Sequence, residues 1–201
     1  MVISRSVLVA ALLSAGCGGG NTGGVYLVGP SVGGISASLV VTTGFQYPTD
    51  SVPTSDGATF YFVASTSDGK PGVFKVAASV GASASMVASG APLVAPIGIS
   101  ISGDDKTLYV ADPGAGLFTV PAAGGTPKLI AGTDCMKPRG VDVANQNGME
   151  MIYFSTGAGA CGGDAGLARV PAAGGAASFV ASSAPFAMPM GVAVAKNGDV
   201  Y

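Results

Sequence analysis

One stretch decides the fold of this chain: Gly116-Leu117-Phe118-Thr119-Val120-Pro121-Ala122-Ala123-Gly124-Gly125-Thr126-Pro127-Lys128-Leu129-Ile130-Ala131. It returns at 166–181 with the same order of apolar runs, Pro and paired Gly. A short apolar run, a turn with Pro and two Gly, and a second apolar run predict a β-hairpin. Two fainter copies begin at Val73 and Val25. The chain therefore carries four hairpins of one kind, whose strands we call C and D.

A second recurring unit lies between the hairpins and predicts two more strands, A and B. Strand A starts with Pro, any residue and Gly, followed by an alternating apolar run, at Pro96, Pro138 and Pro189. The copy at Pro48 is degraded, with Asp50 at the position where Gly is expected. Turns rich in Gly, Asn and Asp come next, and such residues tolerate the backbone of tight hairpins. Strand B follows, with a central Tyr in each copy: Tyr61, Tyr109, Tyr153 and Tyr201.

The period of these units predicts an all-β fold, a β-propeller of four-stranded antiparallel blades. The starting Pro residues at 48, 96, 138 and 189 are 48, 42 and 51 residues apart. Repeats of roughly 40 to 50 residues with four strands each are typical of propeller blades. In strand A of the third copy, Val141 and Val143 alternate with Gly140 and Asp142, so both faces of the sheet should meet a neighbour. A β-sandwich is the alternative, but it does not predict near-equal copies in a fixed order.

The two ends of the repeat are incomplete, which leaves two interpretations. The chain enters with strands C and D of one blade and ends two residues into strand B of another, with three whole blades between them. The first interpretation is a fragment of a larger ring, and we favour it. The second is a closed four-bladed ring in which both termini share one blade, which would remove exposed sheet edges.

The strand A motif, its Gly-containing turn and the segment Tyr109-Val110-Ala111-Asp112 resemble the NHL-type propeller repeat, over roughly residues 24–201. The copies lack the basic residues and Asn that often follow the Asp in that family. The resemblance therefore implies a fold and no particular partner, because this architecture hosts enzymes, sensors and scaffolds alike.

The N-terminus predicts export. Residues 1–16 combine Arg5, an apolar stretch from Val7 to Leu13 and small residues, which is the pattern of a signal peptide. Small residues directly before Cys17 resemble the lipobox of bacterial lipoproteins, although Ser14 replaces the usual Leu. We predict a lipoprotein signal peptide at 1–16, a lipidated Cys17 with a Gly-rich tether at 17–24, and the propeller at 25–201. The protein would then be lipid-anchored in the bacterial cell envelope, at the outer membrane or the periplasmic face. Ordinary secretion and a retained cytosolic segment are the alternatives.

Counting cysteines supports this location. The chain has three Cys, and one is left over in an exported protein unless it is modified. If Cys17 carries lipid, Cys135 and Cys161 remain as a pair. Both lie in segments that look like loops, so we predict a disulfide; two free, buried thiols are the alternative.

Composition argues against nucleic-acid binding and against common catalytic constellations. Only 10 % of the residues are charged, the net charge is −2 and the basic residues form no stripe, so nucleic acid is not an expected partner. The chain has no His, the usual general base and a common metal ligand. We therefore expect no enzyme activity, no cofactor and no metal.

Loops at one end of the propeller carry the candidate binding residues. Asp112 and Asp164 fall in B-to-C loops, Asp134 falls in a D-to-A loop, and Arg139 enters the same end. Three carboxylates on one face suit Ca²⁺, which takes six to eight oxygen ligands; solvated loop residues are the plainer interpretation.

The function predicted from the sequence is a lipid-anchored, extracytoplasmic, non-catalytic binding or scaffold module for a protein or glycan ligand, held at the membrane by its lipid alone. The alternative is a metal-dependent hydrolase resembling the gluconolactonase-like propellers, although a single Glu makes their metal site hard to assemble. A structural surface protein without a discrete ligand is a further possibility.

Overall fold

The apolar runs of the repeat form strands, and consecutive strands pair into antiparallel sheets. The computed structural model describes residues 9–13, 24–31, 34–195 and 197–201. An opening sheet holds β1 (Val9–Leu13), β2 (Gly24–Ser31) and β3 (Gly34–Val41), in the order β1-β2-β3. The first blade follows, with β4 (Gln46–Pro53), β5 (Thr59–Ser65), β6 (Pro71–Ala77) and β7 (Ser85–Ser89).

Two further blades repeat this arrangement. The second blade contains β8 (Gly98–Ile101), β9 (Thr107–Asp112), β10 (Gly116–Pro121) and β11 (Lys128–Leu129). The third contains β12 (Pro138–Gln146), β13 (Met149–Thr156), β14 (Gly166–Pro171) and β15 (Ser178–Ser182). After it, Ala193 and Tyr201 exchange both backbone hydrogen bonds, at 2.8 and 2.9 Å, which starts another A–B hairpin. The predicted propeller of four-stranded blades is confirmed.

The first and second blades pack on both faces, as the alternating pattern of their strands predicts. In β9, Leu108 and Val110 contribute to the apolar core shared with the first blade. Tyr109 and Ala111, between them in sequence, contribute to the core shared with the third blade. A sandwich has only two facing layers, so these successive cores exclude it. A third core lies between the opening sheet and the first blade, where the rings of Phe62 and Phe74 stack.

The opening sheet includes part of the predicted signal peptide. Val9–Leu13 form β1, which pairs antiparallel with β2 from Val9–Val28 to Leu13–Gly24. The remainder of the predicted signal peptide, and Cys17 with most of its tether, lie outside the described residues. The lipoprotein assignment therefore stays a prediction. Among the residues that the structure describes, no helix is both long and apolar enough to cross a membrane.

The first strands of the blades lie side by side around the axis, and the Gly of the Pro-x-Gly motif permits this. Strand β8 neighbours both β4 and β12. A Cβ on Gly98 would overlap the carbonyl oxygen of Arg139, the residue before the corresponding Gly of the next blade. A Cβ on Gly140 would likewise overlap the carbonyl oxygen of Met190. The motif glycine is thus the point where neighbouring inner strands approach most closely.

In the first and second blades, the central Tyr of strand B joins its blade to the next one. The Tyr61 hydroxyl donates to the Ala122 carbonyl oxygen at 3.2 Å. The Tyr109 hydroxyl donates to Glu150 Oε2 at 2.6 Å, and Glu150 Oε1 accepts a hydrogen bond from the Gly103 backbone N–H at 2.9 Å. The only Glu of the chain is therefore a bridge between the second and third blades.

We expect Tyr109→Phe to lower the free energy of unfolding at pH 7 by about 2 kcal/mol, because it removes a buried hydrogen bond to a charged acceptor. Burial, with the bond to Glu150 and its charge, raises the pKa of Tyr109 above its ordinary value. A raised folded-state pKa means that this stabilisation is complete below the unfolded-state pKa of about 10 and is lost as the pH rises further.

Urea unfolding at pH 7 and above pH 10 checks this prediction. The difference in free energy of unfolding between wild type and Tyr109→Phe should be smaller at the higher pH. Tyr201→Phe is the control, since this side chain is exposed and its loss should change little. A gap that widens with pH would contradict the proposed bridge.

Candidate functional site

The loops that join strand D to A and strand B to C emerge at one end of the blades, which we call the loop face. The D-to-A loops are 42–45, 90–97, 130–137 and 183–188, and the B-to-C loops are 66–70, 113–115 and 157–165. Rigid strands fix the ends of these loops, an arrangement that commonly carries binding residues. All four predicted residues lie at this end, but in different environments.

Asp112 is the last residue of β9 and is fully buried. Its Oδ2 accepts hydrogen bonds from the backbone N–H of Val94 at 2.7 Å and of Ala95 at 2.9 Å. Its Oδ1 accepts one from the N–H of Gly114, also at 2.9 Å. The carboxylate therefore holds the D-to-A loop of its own blade, and in this conformation it is not available to a partner.

Asp134 and Asp164 are exposed on the loop face. Asp164 Oδ2 accepts a hydrogen bond from the Ser183 hydroxyl at 2.6 Å, which connects a B-to-C loop to the D-to-A loop after β15. The structure does not gather Asp112, Asp134 and Asp164 around one point. Among the described residues, no three Asp, Glu, His or Cys side chains are grouped closely enough to hold a metal ion.

The predicted disulfide between Cys135 and Cys161 is confirmed. Its Cα atoms are 4.7 Å apart, and the Cys161 backbone N–H also donates to the Cys135 carbonyl oxygen at 2.7 Å. Cys161 lies in a single 3₁₀ turn, Ala160–Gly162, inside the longest B-to-C loop. The bond fixes this loop to the D-to-A loop that precedes β12, and it indicates an oxidising, extracytoplasmic compartment.

We expect the double variant Cys135→Ser, Cys161→Ser to lower the free energy of unfolding by about 3 kcal/mol. The crosslink spans 26 residues, so its loss restores conformational freedom to the unfolded chain. Thermal unfolding with and without reductant measures the effect. Wild type in reductant should match the double variant, and an unchanged Tm in both cases would refute the stabilising role.

A cavity of about 310 Å³ opens at the axis of the loop face. The starts of successive inner strands line it: Thr49, Asp50, Ile97, Arg139, Gly140, Val141, Met190, Gly191 and Val192. Each lining group belongs to the motif that begins strand A. The Pro-x-Gly motif thus supplies both the close contact between blades and the wall of the cavity.

Arg139 and Asp50 are the charged residues of this wall. Arg139 Nη1 lies 3.1 Å from Met190 Sδ, and its Nε is buried with no hydrogen-bond partner among the described residues. Asp50 accepts hydrogen bonds from the backbone N–H of Ser51 at 2.8 Å and of Ile99 at 2.9 Å. Burial raises the pKa of the Asp50 carboxyl, and the charge of Asp142 adds to this rise.

A second cavity, of about 220 Å³, adjoins the first and shares Thr49 and Ile97 with it. Tyr47 and Val94 line its outer part, and both are largely exposed, at 59 % and 60 %. Tyr47 has a φ of 51°, a left-handed conformation that is uncommon for a bulky residue. The two cavities together form a groove with apolar, cationic and anionic parts.

Sequence reasoning found Arg139 but missed Asp50, Tyr47 and Met190. The sequence does mark Asp50 as unusual, since it stands where the repeat predicts Gly. Its contact could not be predicted from its own blade, because the Ile99 N–H that donates to it belongs to β8 of the next blade. Met190 carried no signal, since the variable position of the motif differs in every copy.

Comparisons with known proteins support the fold. No protein-family profile matches the chain, and no curated protein is significantly similar to it in sequence. The structure is similar to one in a crystal structure of a nidogen/laminin complex, with a TM-score of 0.71 and 13 % identity over 94 % of this chain and 65 % of the other. It is also similar to a protein of Bacteroides uniformis provisionally named 6-phosphogluconolactonase, with a TM-score of 0.58 and 16 % identity over 98 % of this chain and 60 % of the other. The chain spans less than two thirds of either neighbour, and both similarities fit a β-propeller.

Proposed function

We propose that this protein is a non-catalytic binding or scaffold module, built from NHL-type propeller repeats and lipid-anchored in the bacterial cell envelope. One observation carries the binding role: a groove lies on a loop face that a disulfide crosslinks. The groove has exposed apolar side chains, and its charged residues form no ion pair within the described part of the chain. Loops held in one conformation lose less entropy when they bind, which favours affinity. The ligand class remains a protein or a glycan.

The nidogen neighbour adds support for a binding role. It comes from a complex of nidogen with laminin, so a propeller of similar shape takes part in a protein complex there. The exposed Tyr47 and Met190 and the partly buried Arg139 belong to residue types that are enriched at protein interfaces. On these grounds we favour the protein partner over the glycan.

The lipid anchor rests on the sequence around Cys17 and is tested by labelling. Cells that produce the full chain are grown with radioactive palmitate, and the protein is recovered from the membrane fraction. Wild type and the control Cys135→Ser should carry label, whereas Cys17→Ser should carry none and leave the membrane. Label that persists in Cys17→Ser would overturn the anchor.

The binding role is tested with immobilised protein and envelope extract. One variant removes charges from the loop face: Asp134→Ala, Arg139→Ala and Asp164→Ala. A matched control removes the same number from the A-to-B turns at the opposite end: Asp56→Ala, Lys106→Ala and Asp199→Ala. A partner retained by wild type and the control but lost by the first variant supports the proposal, and equal retention by all three contradicts it.

The hydrolase alternative, which the sequence leaves open, is supported by the second structural neighbour and its provisional name. A pH-stat assay with gluconolactone, with and without added Ca²⁺, decides it. We expect no hydrolysis above the spontaneous rate. Turnover that Ca²⁺ accelerates, and that Asp50→Asn abolishes, would replace the binding role by catalysis.

A further inference from the structure

The axial cavity contains one cationic and one anionic residue that do not pair with each other. Within the described residues, the ion pairs are Lys70–Asp68 and Lys106–Asp104. Neither involves Arg139 or Asp50, although both line the same cavity. Charges of opposite sign that share a cavity without meeting present two separate attachment points to a ligand.

Arg139 has unused hydrogen-bonding capacity on its guanidinium. The group carries five N–H donors in a planar fork that matches a carboxylate. Within the described ranges its Nη1 donates to the Met190 sulfur, a weak acceptor. Its Nε is covered by protein and has no partner among the described residues, so a ligand would meet the outer nitrogens of the fork. A ligand carboxylate would replace the sulfur as the acceptor for these outer N–H groups.

Asp50 has unused capacity of the opposite kind. Each of its oxygens accepts one backbone hydrogen bond, Oδ1 from Ser51 and Oδ2 from Ile99. A carboxylate offers about four acceptor sites, so lone pairs remain on both oxygens. A ligand ammonium group would use them and would offset the cost of burying this charge.

The rest of the wall suits an apolar group of limited size. Ile97, Val141, Met190 and Val192 line the cavity, and Met adapts its shape readily to a ligand. The volume, about 310 Å³, is at the lower end of the range of small-molecule sites. The space therefore admits a small molecule, and a bulky side chain of the ligand would have to extend toward the adjoining cavity near Tyr47.

We propose that the axial cavity binds a small zwitterion, an α-amino acid with an apolar side chain. Its carboxylate binds the Arg139 guanidinium, its ammonium group binds Asp50, and its side chain packs against Ile97 and Met190. The inference goes beyond the proposed binding function, because it adds a small-molecule ligand to the protein partner that we favour for the same loop face.

Three related compounds measure how much each charge of the ligand contributes to its affinity for the wild-type protein. Isothermal titration is carried out with L-leucine, with L-leucinamide, which lacks the carboxylate, and with N-acetyl-L-leucine, which lacks the ammonium group. We expect leucine to bind at least tenfold more tightly than either analogue. No heat from leucine at 20 mM, or equal affinity for all three compounds, would overturn the proposal.

Two variants assign the charges to residues. Arg139→Gln should weaken leucine binding at least tenfold and leave leucinamide unaffected, whereas the control Arg169→Gln, on β14 of the third blade, should bind leucine like wild type. Asp50→Asn should weaken leucine and leave N-acetylleucine unaffected. Should Asp50→Asn fail to fold, the wild-type comparison of leucine with N-acetylleucine still decides the role of the anion. Unchanged leucine binding in Arg139→Gln would refute the site.

The outcome is distinguishable from failure of the proposed function. Retention of an envelope partner by wild type, together with no leucine binding, would leave the binding module intact and remove only the amino-acid site. Leucine binding without any retained partner would support the amino-acid site and contradict the proposed envelope partner.

Discussion

Gly98→Ala is expected to lower the free energy of unfolding by about 4 kcal/mol, beyond the usual range of about 1 to 3 for overpacking. The added methyl group would overlap the carbonyl oxygen of Arg139 and approach the Ala111 Cβ to 3.2 Å. A flexible side chain could move away from the new methyl group, but the overlapping atom here belongs to the main chain of the next blade. The substitution therefore has to separate β8 from β12 at the point where both begin.

The same motif supplies its own control. Gly191 holds the corresponding position in the final copy, and a Cβ there would meet nothing within 4 Å. Gly191→Ala should leave stability unchanged or raise it slightly, because Ala restricts the unfolded chain. Thermal unfolding of the two variants makes the comparison: a Tm loss of about 8 to 16 °C is expected for Gly98→Ala in a chain of this size. Equal Tm values for both variants would show that close contact between inner strands does not limit stability.

The repeat made the fold predictable because it fixes which face each residue occupies. A period of two in β9 assigns Val110 to one neighbour and Tyr109 to the other, and no information beyond the sequence is needed for that step. Pairing within each unit follows, since short turns leave consecutive strands adjacent. The disulfide was predictable for a similar reason, because the blade boundaries bring both loops to one end.

The site was less predictable because its members are joined across blades. The loop position of Asp112 predicts a binding residue, but in the structure its carboxylate accepts hydrogen bonds from three backbone N–H groups. Asp50 looked like a degraded Gly. The cavity that joins Asp50 to Arg139 depends on how the inner strands tilt and how far apart they start, and periodicity does not encode either quantity. The strand at Val9–Leu13 was also missed, since its apolar run fits a signal peptide equally well.

Asp112→Ala is expected to lower the free energy of unfolding by about 4 kcal/mol, because it leaves three buried or partly buried N–H groups without an acceptor. Hydrogen bonds to a charged group contribute about 1.5 to 3 kcal/mol each, and part of this is recovered where water enters the loop. Asp112→Asn should lower the free energy of unfolding by about 2 kcal/mol, because the NH₂ group of the new amide would face a backbone N–H that is also a donor. Urea unfolding of the variants measures both values.

The effect should reach the binding groove as well as the stability. Asp112 holds Val94 and Ala95, and the same loop leads to Ile97, which lines both cavities. Asp134→Ala is the matched control, an exposed carboxylate of the same face whose loss should change stability by less than about 0.5 kcal/mol. If Asp112→Asn were as stable as wild type, the hydrogen bonds of the carboxylate would not stabilise the loop at 90–97. Asp112 would then be available to bind a partner, and other contacts would have to hold that loop.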